Sequence, residues 1–98
     1  MTHHVEYSIP ARRDVERLFG FLLQRDKLAA RRALHAIQNG IKILELFPFN
    51  GRMAEGNNPM VRELVIPFGN AGYVALYAVR DETITILAIR HQFEDDYL

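Results

Sequence analysis

Two consecutive apolar strands near the end of the chain constrain its fold more than any other feature. Residues 72–80 read GYVALYAVR and residues 83–90 read TITILAIR, with a two-residue polar turn between them. An antiparallel strand with one solvated face normally alternates apolar and polar residues, whereas both of these strands are largely apolar on both faces. The remaining chain offers only enough helix to cover one face of a sheet. The second face must therefore be covered by something else.

Alternation along each strand divides its side chains into two sets that face opposite ways. In the first strand the sets are Tyr73, Ala75, Tyr77 and Val79 against Val74, Leu76, Ala78 and Arg80. In the second strand they are Ile84, Ile86, Ala88 and Arg90 against Thr83, Thr85, Leu87, Ile89 and His91. We interpret the uncovered apolar set as a binding surface. The alternative is that the C-terminal tail or a second copy of the chain covers it.

The rest of the pattern predicts the element order β-α-α-β-β-β. Alternation at residues 4–9 indicates a strand, and apolar residues at spacings of three and four indicate helices over about 11–25 and 26–46. Turn-forming residues fill 47–59, and Val61–Phe68 reads as the next strand. We expect one α+β domain over residues 1–98, a small antiparallel sheet with an α-helix hairpin packed on one face.

Both predicted helices are amphipathic. The stripe of the first comprises Val15, Leu18, Phe19, Leu22 and Leu23, opposite Arg13, Arg17 and Gln24. The stripe of the second comprises Ala30, Ala33, Leu34, Ile37, Ile41 and Leu44. Gly40 lies at the edge of the second stripe, where we expect it to allow close approach of the first helix.

Charge is divided unevenly along the chain. Ten Arg and Lys stand against six Asp and Glu up to Arg62, and two stand against six from Glu63 onward. Ten of the twelve basic residues are Arg, whose planar guanidinium pairs well with carboxylates and phosphates. An acidic partner segment would be attracted to the first half, although solvated helix faces explain the same charges.

The sequence carries no conventional catalytic or cofactor signature. It contains no cysteine, no phosphate-binding glycine loop and no pair of histidines at ligand spacing on a helix, so we expect no cofactor and no metal. His91 follows a buried strand beside Arg90 and Glu94, where it could serve as a general base or as a structural histidine. No apolar run approaches the roughly 20 residues that cross a bilayer, and we expect a cytoplasmic protein.

Several short motifs resemble the ParE branch of the ParE/RelE toxin superfamily. They are LFPFNG at residues 46–51, REL at 62–64, GYVALYAV at 72–79 and ILAIRHQFEDDY at 86–97. The resemblance spans nearly the whole chain, and the predicted order of elements is that of the family. It implies the toxin of a bacterial type II toxin–antitoxin pair, associated with plasmid stabilisation and neutralised in a hetero-oligomer by a small ParD-like antitoxin.

Within that superfamily, the RelE branch cleaves messenger RNA on the ribosome, whereas ParE-like members act on DNA gyrase. RelE-like nucleases usually carry Arg after the aromatic residue that opens the third strand, where this chain has Val74, and a second basic residue at the position of Gln92. Phosphodiester cleavage needs positive charge at its transition state. The resemblance therefore favours a gyrase inhibitor over an enzyme, and leaves Arg90 and His91 as nuclease candidates.

A third alternative is a non-toxic relic that only forms the antitoxin complex. The common ParE pattern has Arg where Phe93 stands in this chain. If that Arg contributes to toxicity, the present chain lacks it.

We predict two binding sites. The antitoxin site combines apolar anchors with Arg residues that suit an acidic peptide, namely Val74, Leu76, Ala78, Arg80 and Arg90. The target site lies near the tail and comprises His91, Gln92, Phe93 and Tyr97. We expect DNA contact only through the antitoxin and no membrane contact.

Overall fold

A mixed sheet with two helices on one face forms the part of the chain that the computed structural model describes, residues 2–94 and 97. Its elements are β1 His4–Tyr7, α1 Ile9–Leu23, α2 Lys27–Lys42, a 3₁₀ helix Ile43–Glu45, β2 Arg52–Met53, β3 Val61–Phe68, β4 Ala71–Arg80 and β5 Thr83–His91. Neither α-helix of this described part is long and apolar enough to cross a membrane.

The strand order in the sheet is β1-β5-β4-β3-β2. Strands β2 to β5 pair antiparallel, and β1 lies parallel to β5. A parallel pair needs a long connection between its strands, which the helix hairpin and the meander supply. The predicted α+β fold with a helix hairpin on one face is confirmed. The prediction missed the two-residue strand β2 and the parallel pairing of β1.

Helix α1 begins two residues earlier than its predicted start. The Ser8 hydroxyl accepts a hydrogen bond from the Ala11 amide at 3.1 Å and donates one to the Leu87 carbonyl at 3.1 Å, so one side chain caps the helix and ties it to β5. Its buried face also differs from the predicted stripe, because Asp14 is buried and Leu23 is 40% exposed.

Helix α2 and the 3₁₀ helix after it bury the predicted stripe except for Leu34, which is half-buried. The Asp26 carboxylate accepts hydrogen bonds from the amides of Leu28 and Ala29, as expected of an N-cap. Gly40 was predicted to face the first helix, and this prediction was wrong. A Cβ at Gly40 would lie 3.1 Å from side-chain atoms of Ile66 on β3. The missing side chain therefore lets the helix approach the sheet rather than the other helix.

A β-bulge interrupts the pairing of β4 with β5. Leu76 pairs with Ala88 whereas Tyr77 pairs with Ile86, which leaves Leu87 without a partner in the ladder. The extra residue shifts the alternation of β5, so Ile89 belongs to the helix-covered core. The predicted grouping of Ala88 with Ile86 on one face was therefore wrong.

Tyr73 and Tyr77 lie on the helix side of β4, and both are buried in the core. The Tyr77 hydroxyl accepts a hydrogen bond from the Gly51 amide at 2.9 Å, so its polar end is satisfied. A Cβ at Gly51 would lie 2.5 Å from the Glu63 carbonyl oxygen. Only glycine therefore fits at this approach of the loop to β3.

Candidate functional site

The sheet face opposite the helices carries all five residues of the predicted antitoxin site. We call it the open face; its central stripe comprises Val74, Leu76, Ala78, Arg80 and Arg90. The paired strands bring these residues together, with Val74 opposite Arg90 on the neighbouring strand. Leu76 and Ala78 are half-buried, Arg80 is exposed, and Val74 is only 2% exposed. The centre of the stripe is therefore accessible at Leu76 and Ala78.

Tyr97 reaches the open face from the C-terminal tail. Its hydroxyl donates a hydrogen bond of 2.5 Å to a carboxylate oxygen of Glu63, and its ring centroid lies 5.2 Å from the Arg90 guanidinium carbon. Burial, and then the neighbouring Glu63 carboxylate, raise the pKa of the Tyr97 phenol well above its usual range. The phenol therefore remains a protonated donor and cannot act as a base in this arrangement.

These contacts surround a polar pocket of about 420 Å³. Arg52 and Arg90 line it together with Glu55 and Glu63, and Arg52 lies 3.4 Å from a Glu63 carboxylate oxygen. Two positive charges thus face two negative charges. The pocket has hydrogen-bonding groups but no net charge of its own to attract a phosphate.

An apolar cleft of about 590 Å³ lies on the other side of the sheet, between α1 and the end of β5. We call it the α1 cleft; it is lined by Leu18, Phe21, Leu22, Phe68, Tyr73, His91 and Phe93, with Arg17 and Glu94 at its polar end. Phe93 is 76% exposed and Phe21 is 57% exposed. Its walls are therefore apolar, and two phenyl rings remain accessible to a partner.

His91 forms one wall of the α1 cleft. Its ring meets the Tyr73 ring edge-to-face at a centroid distance of 5.6 Å and lies 5.3 Å from the Phe93 ring. Its Nδ1 accepts a hydrogen bond from the Phe93 amide at 3.2 Å, so the neutral ring would carry its proton on Nε2. The histidine thus orders the turn after β5.

A buried polar network attaches this turn to α1. The Asp14 carboxylate, 5% exposed, accepts a hydrogen bond of 2.9 Å from the Ile89 amide. Arg17 bridges it to the turn, at 3.7 Å from Asp14 and 3.2 Å from Glu94. These side chains bond the backbone of β5 where β1 has ended, so they seal that part of the sheet edge.

Glu94 is ionised more readily than a free glutamate. Burial opposes its ionisation, but the hydrogen bond from the His91 amide at 2.9 Å and the contact with Arg17 outweigh that effect and lower the pKa of the Glu94 carboxyl. The carboxylate therefore stays charged under ordinary conditions and holds the turn against α1.

The structure divides the predicted target site between the two faces. His91 and Phe93 lie at the α1 cleft, Gln92 is exposed with its amide bonded to the Gly72 carbonyl, and Tyr97 lies on the open face. The nuclease candidates are divided in the same way, because Arg90 lies on the open face and His91 on the helix side. Neighbouring residues of a strand face opposite ways, so these two side chains do not converge on one ligand.

The order of elements and the sequence agree with one known toxin family. A family model described as the ParE toxin of the type II toxin–antitoxin system parDE matches residues 5–96. The chain belongs to the ParE toxin family.

Two relatives from Caulobacter vibrioides cover almost all of this ParE-family chain. Toxin RelE1 is 34% identical over 94 residues, which is 96% of this chain and 98% of the relative. Toxin RelE3 is 38% identical over 90 residues, which is 92% of this chain and 95% of the relative. Their names belong to the other branch, so the comparisons establish a type II toxin of the ParE/RelE superfamily and leave its target open.

Solved structures show the same fold. A chain of the chromosomal ParDE system of P. aeruginosa superposes with a TM-score of 0.74 at 20% identity, covering 92% of this chain and 96% of that chain. A chain of the RelBE2 toxin–antitoxin complex of Mycobacterium tuberculosis superposes with a TM-score of 0.62 at 19% identity, covering 93% and 99%. At these identities the similarity establishes the fold of the ParE-family chain alone.

Sequence reasoning missed the network of Asp14, Arg17 and Glu94. One signal was present, because Asp14 lies one turn before Leu18 on the buried side of a helix, where an acid without a partner is costly. Its partner, the Ile89 amide, is a backbone group far along the chain. No side-chain pattern predicts that contact.

Proposed function

We propose that this chain inhibits DNA gyrase and that a cognate ParD-like antitoxin holds it silent in a cytoplasmic hetero-oligomer. The observation that carries the proposal is the charge balance of the polar pocket on the open face, where Arg52 and Arg90 are matched by Glu55 and Glu63. Metal-free cleavage of RNA needs positive charge on the transition state in addition to an acid or base. A neutral pocket supports binding rather than catalysis.

The division between Arg90 and His91 also supports inhibition by binding. A nuclease that used both would need them within reach of one phosphate, but they lie on opposite faces of β5. Val74 adds to the argument, since its position is apolar and 2% exposed and offers no charge to a phosphate.

The antitoxin would bind the open face. Leu76 and Ala78 offer apolar contacts at its centre, and the exposed Arg80 offers positive charge at one end. Arg90 lies at the other end, about 20 Å away at the rise of a strand, where an acidic residue of the peptide could take the place of Glu55 or Glu63. An acidic peptide with apolar anchors fits this arrangement. Such a peptide would meet Tyr97, which already lies against Arg90.

Induction in a host that lacks the antitoxin tests the proposal. We expect growth arrest, filamentation and the DNA-damage response, with transcripts intact during the first minutes. Arrest of translation with cleaved transcripts before any DNA damage would contradict it. Co-expression with the cognate antitoxin should restore growth.

A ribosome-dependent ribonuclease is the competing candidate, because the two relatives from Caulobacter vibrioides carry RelE names. This activity would require Glu55 and Glu63 to move away, so that Arg52 and Arg90 could hold a phosphate. The double variant Arg52→Ala, Arg90→Ala would then abolish transcript cleavage on translating ribosomes. A chain that shows neither activity would be the non-toxic relic, and would still bind its antitoxin.

A further inference from the structure

We propose that the α1 cleft, with the adjoining tip of the helix hairpin, binds an acidic segment of the target protein through a bulky apolar anchor. This inference rests on the proposed function, because it assigns the surface by which a toxin of this kind reaches its target. The cleft lies on the opposite side of the sheet from the open face. It thus leaves the antitoxin and the target with separate primary sites on one small domain.

The walls of the cleft favour an apolar side chain. Its volume of about 590 Å³ lies within the range of protein clefts that enclose a ligand group. Phe21 and Phe93 stand at its mouth, 57% and 76% exposed, and the helix-facing rings of Tyr73 and His91 form part of its wall. Exposed aromatic rings beside a concave apolar site are typical of contacts that carry binding energy between proteins.

Charge around the mouth favours an acidic partner. The Arg25 guanidinium carbon lies 3.8 Å from the centroid of the Phe21 ring, so the cation and the apolar surface form one patch. Between residues 21 and 32 the chain carries four basic residues and one acidic residue. The four basic residues are Arg25, Lys27, Arg31 and Arg32. Within the described ranges 2–94 and 97, none of these four lies within 4.0 Å of a carboxylate oxygen.

Among the described residues, the acidic groups near the cleft offset only part of this charge. Arg17 engages both Asp14 and Glu94, which leaves one negative charge, and Asp26 at the start of α2 adds a second against the four positive charges. The remaining positive charge would attract an acidic segment to the mouth and orient it there. A large apolar residue of that segment would then enter the cleft.

The α1 cleft binds the target and not the antitoxin, because its shape and its exposed groups differ from those of the open face. The stripe of the open face can bury an extended peptide along β4, whereas the α1 cleft accepts a single anchor beside a convex, basic helix tip. The last two residues of β5, Arg90 and His91, join the two surfaces. An antitoxin bound on the open face would therefore crowd the approach to the cleft.

Serine substitutions of exposed phenylalanines test the inference. Phe21→Ser and Phe93→Ser remove the two rings at the mouth, and Phe47→Ser is the matched control, since Phe47 is 61% exposed and does not line the cleft. We expect Phe21→Ser and Phe93→Ser to need about tenfold more toxin for the same growth arrest, as is typical for the loss of one interface anchor. The Phe47→Ser variant should match the wild type. All three should bind the antitoxin within about twofold of the wild type, which also shows that they fold.

Two substitutions of Arg25 test whether the mouth of the cleft needs a positive charge. Arg25→Glu should weaken growth arrest by about tenfold, and Arg25→Lys should retain most of it, because Lys keeps the positive charge near the aromatic ring. Inhibition of gyrase supercoiling by the purified chain should follow the same order. It should weaken further as salt is raised.

Several outcomes would overturn the inference. Full toxicity of Phe21→Ser and Phe93→Ser would show that the cleft is not the target site, and so would complete absence of toxicity in the wild type. Lost antitoxin binding with retained toxicity would assign the cleft to the antitoxin. The wild type could also bind phosphatidylglycerol vesicles or a single-stranded RNA oligonucleotide. If Phe21→Ser abolished that binding, the partner of the cleft would be a membrane or an RNA and not a protein. Growth arrest by transcript cleavage, with the same order of variants, would instead contradict gyrase inhibition and leave the cleft as the target site.

Discussion

The open face and the α1 cleft are built from the same two strands but differ in chemistry. On the open face, an apolar stripe lies beside a polar pocket that contains both Arg and Glu side chains, and Tyr97 already bonds to Glu63. In the cleft, aromatic and aliphatic walls surround a cavity whose two outer rings are exposed. Consecutive residues, Arg90 and His91, belong to one surface each. Neighbouring residues of one sequence motif can therefore belong to different surfaces.

The largest effect should come from a charge placed at the centre of the open face. We expect Leu76→Asp to reduce antitoxin affinity by about 100-fold, because it puts an unpaired carboxylate in the core of that interface. Isothermal titration calorimetry with the purified antitoxin measures it. The control Phe93→Asp changes the cleft side and should bind the antitoxin as the wild type does. Equal losses in both variants would remove the distinction between the two surfaces.

The second effect concerns the network that seals the edge of β5 beyond the end of β1. Replacement Asp14→Ala leaves the buried Ile89 amide without its acceptor, and we expect it to lower the free energy of unfolding by about 1–3 kcal/mol. Urea denaturation measures the loss. Glu16→Ala, two residues along on the exposed side of α1, should change stability by less than about 0.5 kcal/mol. An unchanged free energy of unfolding in Asp14→Ala would mean that the network does not hold the turn.

A smaller effect is expected where Tyr97 lies against the open face. The Tyr97→Phe variant loses the hydrogen bond to Glu63, which should cost about 1 kcal/mol of stability. If the antitoxin must displace Tyr97, the antitoxin should bind the Tyr97→Phe variant up to about fivefold more tightly than the wild type, which is the equivalent of that energy. Tyr7→Phe is the control, because its hydroxyl makes no hydrogen bond with the described residues. A fall in affinity would show that Tyr97 helps to bind the antitoxin.

The smallest effect is a dependence on pH at the cleft. The pKa of the Glu94 carboxyl is lowered in the folded chain, so its stabilising contribution is complete above the ordinary value of 4.5 and is lost as the pH falls through the folded value. The wild type should exceed Glu94→Gln in stability by less than about 1 kcal/mol at pH 7, and the difference should vanish in acid. Melting temperatures from pH 7 to pH 3 measure it. A constant difference would rule out titration of Glu94 as its source.

Periodic parts of the fold were predictable, and interruptions of the period were not. The stripe of α2 repeats at helical spacing from Ala30 to Ile41, and its burial follows from the sequence. The bulge at Leu87 breaks the alternation of β5, yet Leu87 resembles its apolar neighbours and gives no sign of it. The stripe of α1 was misjudged for a related reason. Asp14 is buried because its partner is a backbone amide of β5.

Of the two candidate sites, the open face was predictable from the sequence and the α1 cleft was not. The open face was predicted because a strand that is apolar on both faces must be covered on both of them. That pattern is visible within the strand itself. The α1 cleft depends on the path of the chain after His91, where a hydrogen bond between two nearby residues turns Phe93 towards α1. Tyr97 lies on the opposite face, and its position could not be predicted from its proximity to Phe93 in the sequence.

The most direct test of gyrase inhibition compares purified gyrase and translating ribosomes with the same preparation of the chain. Supercoiling activity and transcript integrity would be measured across one concentration series, with and without the cognate antitoxin. We predict loss of supercoiling, its recovery on addition of antitoxin, and intact transcripts at every concentration. Cleaved transcripts with unaffected supercoiling would contradict the account.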